Sequence, residues 1–159
     1  MLILLDIDGV MVPASSWKAP ELLNDGFPRF SNNAVNGLRR IISETGATIM
    51  LTTSHKSKYS VSIWRDIFAR RGINTTISKL NKHSYNTQES RKEEVLDWIR
   101  KGKKDNNFVI IDDDKSLNDL PIEIKRRLIL TSPLIGLNED LAEKAIETLK
   151  QSSELASSK

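Results

Sequence analysis

Two aspartates, Asp6 and Asp8, close the first apolar run of the chain, Leu2-Ile3-Leu4-Leu5-Asp6-Ile7-Asp8-Gly9-Val10. Side chains alternate along a strand, so both carboxylates leave its C-terminal end on the same side. Acids crowded there repel, and each is costly to desolvate unless a cation neutralises it. A divalent metal with a phosphate ester meets that need. The plainer alternative, a polar turn after a buried strand, suits a lone Asp-Gly better than Asp-x-Asp-Gly. A second apolar run also ends in acids, Phe108-Val109-Ile110-Ile111-Asp112-Asp113-Asp114. As neighbouring parallel strands the two runs bring their C-terminal ends about 5 Å apart, so the carboxylates face one another across a single cation. Oxygen-only ligation of this kind suits Mg²⁺, which takes one or two carboxylates with phosphate and water. Neither run has the ligand spacing, central Gly and closing Glu of an EF-hand loop.

Two further groups belong to the same chemistry. Thr52, Thr53 and Ser54 end the apolar stretch from Ala47. A hydroxyl there donates to a phosphoryl oxygen, with backbone amides at the start of the next helix as additional donors. Capping of that helix is the alternative role. A cation is needed against the charge of nucleophile and phosphoryl group, and Arg91 and Lys92, at the start of the helix before the acidic strand, are placed to supply it. The residues alone leave open which of the two does so.

The elements that must position these groups alternate between strand and helix, without an internal repeat. After the first strand comes an irregular stretch, 10 to 29, with Pro13, Pro20 and Pro28. Ser31 reads as an N-cap with Phe30 and Val35 as a hydrophobic staple. The helix over 32 to 45 carries Val35, Leu38, Ile41 and Ile42 on one face and stops at Gly46. A strand over 47 to 53 follows, then a helix marked by Val61, Trp64, Ile67 and Phe68 and closed by Gly72. A weaker strand, 73 to 78, leads into a polar loop near 79 to 89. Val95, Leu96, Trp98 and Ile99 mark a helix ended at Gly102. Beyond the acidic strand lie a loop and short helix up to Arg127, a fifth strand over 128 to 130, and a last helix opened by Gly136-Leu137-Asn138. The pattern predicts one α/β domain over 1 to 150, a doubly wound, Rossmann-like three-layer sandwich on a five-stranded parallel sheet, with a frayed tail over 151 to 159. In such sheets the site lies at the C-terminal strand ends, where every cluster named above falls.

Composition excludes several other classes. At 159 residues, 38% hydrophobic and 28% charged, the chain is an ordinary globule with room for a core. It has no cysteine, which removes disulfide scaffolds, zinc thiolates and cysteine nucleophiles and fits a reducing cytoplasm. The opening apolar run is short, lacks a preceding basic region and meets Asp6, unlike a signal peptide, and no stretch approaches membrane-spanning length. The net charge of +3 is spread over Arg39-Arg40, Arg70-Arg71, Lys101 to Lys104 and Lys125 to Arg127, read here as solvated helix ends rather than a nucleic-acid footprint.

With these pieces in this order, the chain resembles the haloacid dehalogenase-like (HAD) phosphohydrolase superfamily. Asp6-Ile7-Asp8-Gly9-Val10 matches its first motif, Thr53 its second, Arg91 or Lys92 its basic third, and Asp112-Asp113 its acidic fourth, over roughly residues 1 to 150. More narrowly the chain is similar to the small HAD domains of Swiss-Army-knife RNA-repair proteins, through the Leu-Asp-Ile-Asp-Gly-Val opening, Arg91 with Trp98, the Ile-Asp-Asp-Asp run and Gly136-Leu137. It departs from them in carrying Thr53-Ser54-His55-Lys56 in place of Ser-Ser-Trp-Arg. The resemblance implies attack on phosphorus by Asp6, acid and base work by Asp8, and Mg²⁺ held by Asp6, the Asp8 carbonyl and Asp112 or Asp113. Thr53 and Arg91 or Lys92 would position phosphate, with Gly9 and Ser54 beside it.

Such enzymes usually gain selectivity from an inserted cap, and neither 10 to 29 nor 79 to 89 is long enough to fold as one. An open site suits a nucleotide, a nucleic-acid terminal phosphate or a phosphoprotein, or a site lidded by a partner, and the sequence names no protein partner. Trp17 and Phe27 are candidates for stacking on a base, with anchoring of the loop to the core as the alternative. His55 is near enough to touch substrate, and His83 reads as an ordinary polar residue. Two other readings stand beside a phosphatase of nucleotides or nucleic-acid ends. One is a non-catalytic metal- or phosphate-binding regulatory module. The other is a phosphatase of small phosphorylated metabolites whose oligomeric partner completes the pocket.

Overall fold

The computed structural model describes residues 1–14, 19–80, 90–103 and 107–157. Strands β1 (Leu2–Leu5), β2 (Thr48–Leu51), β3 (Ile77–Lys79), β4 (Phe108–Asp112) and β5 (Leu128–Leu130) make one five-stranded sheet in the order β3-β2-β1-β4-β5. Every neighbouring pair is parallel. β1 lies at the centre, and the winding reverses between it and β4, so the crevice where ligands collect in such sheets opens beside Asp6.

Strand periodicity divides the apolar residues into two layers. Ile3, Leu5, Ile49, Leu51, Val109 and Ile111 face one side, against α1 (Asn32–Thr45), α2 (Val61–Arg70) and α5 (Glu139–Ser157). Leu4, Phe108 and Ile110 face the other, against Val95 and Trp98 of α3 (Arg91–Trp98), with Leu117, Leu120 and the partly buried Ile124 of α4 (Ile122–Lys125). This is the expected three-layer arrangement, and the described residues include no cap domain.

Local signals set several boundaries where the sequence predicts them. Ser31 Oγ accepts the Ala34 N–H at 3.2 Å, and the Gly46 N–H closes α1 on Ile42 O from a left-handed φ of 71°. β3 begins later than expected, because residues 72 and 73 finish α2 instead. The Gly72 N–H donates to Ala69 O and the Ile73 N–H to Phe68 O, the paired bonds of a Schellman ending, so Ile73 enters the core without joining the sheet. α3 stops at Trp98 and gives way to a π-helical turn over Ile99–Lys103, short of a simple end at Gly102. α5 runs on to Ser157, past the point near 151 where the sequence expectation puts a frayed tail. Ser152 Oγ there donates back to Thr148 O.

The Pro-rich stretch is tied down by a residue expected on the surface. Arg71 is 8% exposed, not a solvated helix end. Its guanidinium forks onto Asp25 at 2.7 and 3.0 Å and donates to the carbonyls of Phe27, Pro28 and Ile67. Phe27 is therefore core, packed edge-on against Phe30, Tyr59 and Trp64, and does not offer its face to a base. Trp17, His83 and the polar loop over 81 to 89 lie outside the described residues.

Candidate active site

Register builds the site. Leu5 pairs with Leu51 on one side and Ile111 on the other, so the next residues, Asp6, Thr52 and Asp112, emerge side by side at the C-terminal edge. The Asp6 N–H donates to Ile111 O at 3.0 Å and the Thr52 N–H to Leu5 O at 2.9 Å, holding that alignment one residue past the strands. One oxygen each from Asp6, Asp112 and Asp113 lies within 4.8 Å of the others. Asp6 is 6% exposed and Asp112 fully buried. Burial, and then the Asp112 charge, push the Asp6 carboxyl up to about 8, against the opposing pull of Arg91. Burial also raises Asp112, although Arg91 and the Asp114 N–H favour its charged form.

Gly9 makes this crowding sterically allowed. It turns the chain at a left-handed φ of 78°, and a Cβ there would collide with the Asp113 carboxylate. Thr131, just past β5, donates its hydroxyl to Gly9 O at 2.7 Å and fixes the turn from the other flank.

Arg91 rather than Lys92 reaches the acids. Its Nη1 is 2.8 Å from Asp112 Oδ2, 3.0 Å from Thr52 Oγ1 and 3.7 Å from Asp6 Oδ1. Burial would depress the guanidinium, but Asp112, Asp6 and Glu94 outweigh it and hold its pKa above the ordinary value. The first turn of α3 is set by a capping box, Ser90 with Glu93, which orients the helix start toward the sheet edge. Lys92 is half-buried and enters none of the hydrogen bonds or ion pairs among the described residues.

Of the hydroxyls, Thr52 accepts from Arg91, while Thr53 is buried and accepts the His55 N–H at 3.2 Å, capping the short 3₁₀ turn Ser54–Ser57. Each hydroxyl keeps its O–H to donate. Ser54 is exposed at the start of that turn. Asp8 stands apart from the three-carboxylate cluster. Its side chain is 61% exposed, with Oδ2 2.7 Å from Nε2 of His55. A cleft of about 460 Å³ opens on this side, lined by Asp8, Gly9, Val12, Pro13, Pro20 and Glu21 among others.

Two residues of the site carry no distinctive sequence signal. Lys56 is buried with its ammonium 3.5 Å from Glu94 Oε1, and Glu94 Oε2 lies 3.7 Å from Arg91 Nε. The substitution at His55-Lys56 and the three-residue step from Arg91 to Glu94 are the only hints, and neither points to an ion pair across two elements.

The donor set fits a hard divalent cation. Asp6, Asp112 and Asp113 offer only carboxylate oxygen, and Arg91 is the cation among them, so the cluster is short of positive charge. Burial is the main reason the two acids are raised, and for Asp6 the charge of Asp112 adds to it.

A parallel doubly wound sheet with paired aspartates after β1, hydroxyls after β2, a basic helix start and acids after β4 defines a HAD-type hydrolase domain. The family described as the HAD domain in Swiss Army Knife RNA repair proteins matches residues 2–142, and the chain belongs to it. No curated protein and no solved structure gives a significant match. No helix among the described residues is long and apolar enough to cross a membrane.

Proposed function

We propose that the protein is a Mg²⁺-dependent phosphatase that hydrolyses a phosphate monoester through an aspartyl-phosphate on Asp6, with a nucleotide or nucleic-acid terminal phosphate as its substrate. The observation that carries this reading is the unequal setting of the two motif acids. Asp6 is buried among acids and Arg91, whereas Asp8 stands in solvent beside a cleft.

Asp6, the main-chain carbonyl of Asp8 and Asp112 or Asp113 would hold Mg²⁺, whose charge favours the Asp6 carboxylate and offsets that of the phosphoryl oxygens. An Asp6 oxygen attacks phosphorus as the bond to the ester oxygen breaks, and Asp8 gives its proton to that leaving oxygen. Asp8 then takes a proton from water, which attacks the same phosphorus and frees Asp6 with release of inorganic phosphate. Thr53 donates its O–H to the phosphoryl group, and the Arg91 guanidinium balances its charge. Absence of a cap among the described residues leaves room for a large leaving group, in keeping with the RNA-repair setting of the family.

Phosphate release from an aryl phosphate, a nucleotide panel and 3′- or 5′-phosphorylated oligonucleotides, with Mg²⁺ or with EDTA, tests this reading. Metal-dependent turnover that is lost in Asp6→Asn supports it. A folded protein that binds Mg²⁺ and turns over nothing supports instead the regulatory module, for which Arg91 already pairing with Asp112 is the favouring observation.

A further inference from the structure

We infer that His55 is a positioning residue that fixes the Asp8 carboxylate for proton transfer to the leaving oxygen. The inference rests on the proposed acid–base role of Asp8 and assigns His55 a task other than touching substrate. Asp8 needs such help because its side chain is 61% exposed and stands immediately before the Gly9 turn. An exposed carboxylate samples several rotamers, and general acid catalysis requires one of them.

The contact to His55 selects that rotamer. Nε2 lies 2.7 Å from Asp8 Oδ2, and in the tautomer that carries its proton on Nε2 the imidazole donates to that oxygen. Oδ1 enters no hydrogen bond among the described residues and is the oxygen left for the proton. His55 is itself anchored at two points. Its backbone N–H donates to Thr53 Oγ1 at 3.2 Å, and its ring meets the ring of Phe27 edge-on, centroids 6.1 Å apart at 89°. Phe27 is buried and packs against Trp64 at 5.3 Å. Placement therefore runs from the aromatic core through His55 to an otherwise mobile acid. Because it touches Asp8 and not the reacting atoms, His55 acts through that acid.

Leaving-group dependence separates this role from a structural one. A nitrophenolate leaves without a proton, whereas an alkoxide such as a nucleoside 5′-oxygen requires one. kcat/KM would be measured with Mg²⁺ on 4-nitrophenyl phosphate and on a nucleoside 5′-monophosphate, for the wild type, His55→Ala, His55→Gln, Asp8→Asn and Asp8→Asn/His55→Ala, with melting curves as the folding control. His55→Ala is expected to lose about 100-fold on the alkyl ester, the scale of a misplacement near 1 Å, and about threefold or less on the aryl ester. His55→Gln, whose amide N–H reaches the Nε2 position, is expected to recover most of that loss. In the Asp8→Asn background His55→Ala costs nothing further, since the two act as one unit.

Equal losses on both esters, or a rise in KM with kcat unchanged, overturn the inference. If Asp8→Asn loses selectively on the alkyl ester and His55→Ala does not, this inference alone fails. If Asp8→Asn is not selective, or the wild type is inert on both esters, the acid–base reading fails and takes this one with it.

Discussion

Two largely enclosed arginines, Arg71 and Arg91, pair with carboxylates, and the two sites are built to opposite specifications. Arg71 is saturated. Both Asp25 oxygens, three backbone carbonyls and the rings of Phe27 and Phe30 surround its guanidinium. Bonding to Arg71 correspondingly holds the Asp25 carboxyl below its ordinary pKa. Arg91 sits among Asp6, Asp112 and Glu94, with acids in excess, and the carboxyls of Asp6 and Asp112 are raised instead of lowered. A buried ion pair whose donors and acceptors are all used has nothing left for a ligand, and its work is to pin residues 25 to 28 to α2. A buried cluster left short of positive charge stores a demand for a cation, which a divalent metal would meet.

The sharpest way to break the contrast is to remove the acid the active cluster is organised around. Under the proposed function Asp6→Asn is expected to lower kcat on any phosphate ester by about 10⁴-fold or more, the scale of losing a covalent nucleophile, while raising the metal-free melting temperature at pH 8 because one repelling carboxylate is gone. Phosphate release and a thermal melt read the two effects. Arg91→Ala follows, with kcat/KM reduced about 10²- to 10³-fold and stability lowered as well, because Asp112 is left buried without its cation. Arg71→Ala should separate the two effects. It leaves Asp25 without its partner and is expected to cost about 3 kcal/mol of stability, measured by denaturant titration, with activity retained in the fraction that stays folded.

Titration sharpens the same comparison. Asp6 keeps its proton in the metal-free fold up to about 8, whereas the unfolded chain loses it near 3.8. The folded state thus binds more protons through that window, and metal-free stability falls as pH rises across it. Under the proposed function Mg²⁺ would bind the ionised form, so its stabilisation, about 2.7 kcal/mol at a hundredfold excess over Kd, is expected to be larger at pH 8 than at pH 5. Equal shifts in melting temperature at the two pH values would exclude the acid cluster as the binding site. The smallest effect belongs to Asp25. Its pKa is lowered in the fold, so its contribution is present above the ordinary carboxylate value and is lost as pH falls through the folded one. Asp25→Asn should flatten that acid limb of the stability curve, and an unchanged limb would remove Asp25 from the account.

Most of the fold was legible because its signals are local. The Ser31 cap and Gly46 ending bracket α1 at its observed limits, Asn32–Thr45, and the apolar run of β5 coincides with Leu128–Leu130. β3 starts later than the apolar pattern predicts, because Ile73 is as apolar as a strand residue but is used by the ending of α2. The gathering of Asp6, Asp112 and Asp113 was legible too, since two apolar runs that end in acids place them at one edge once the strands are neighbours.

What the sequence determined by itself is therefore whatever depends on short spacing: the strands and helices, the parallel sheet they imply, and the edge to which the acids, hydroxyls and basic helix start are delivered. Tertiary structure alone decided which side chains meet there. It chose Arg91 over Lys92, turned Arg71 inward onto Asp25, paired Lys56 with Glu94 and gave Asp8 to His55. The reason is that residue spacing sets which way a side chain leaves its own element. The rotation and register of one element against another set what it encounters, and those follow from how the whole core packs.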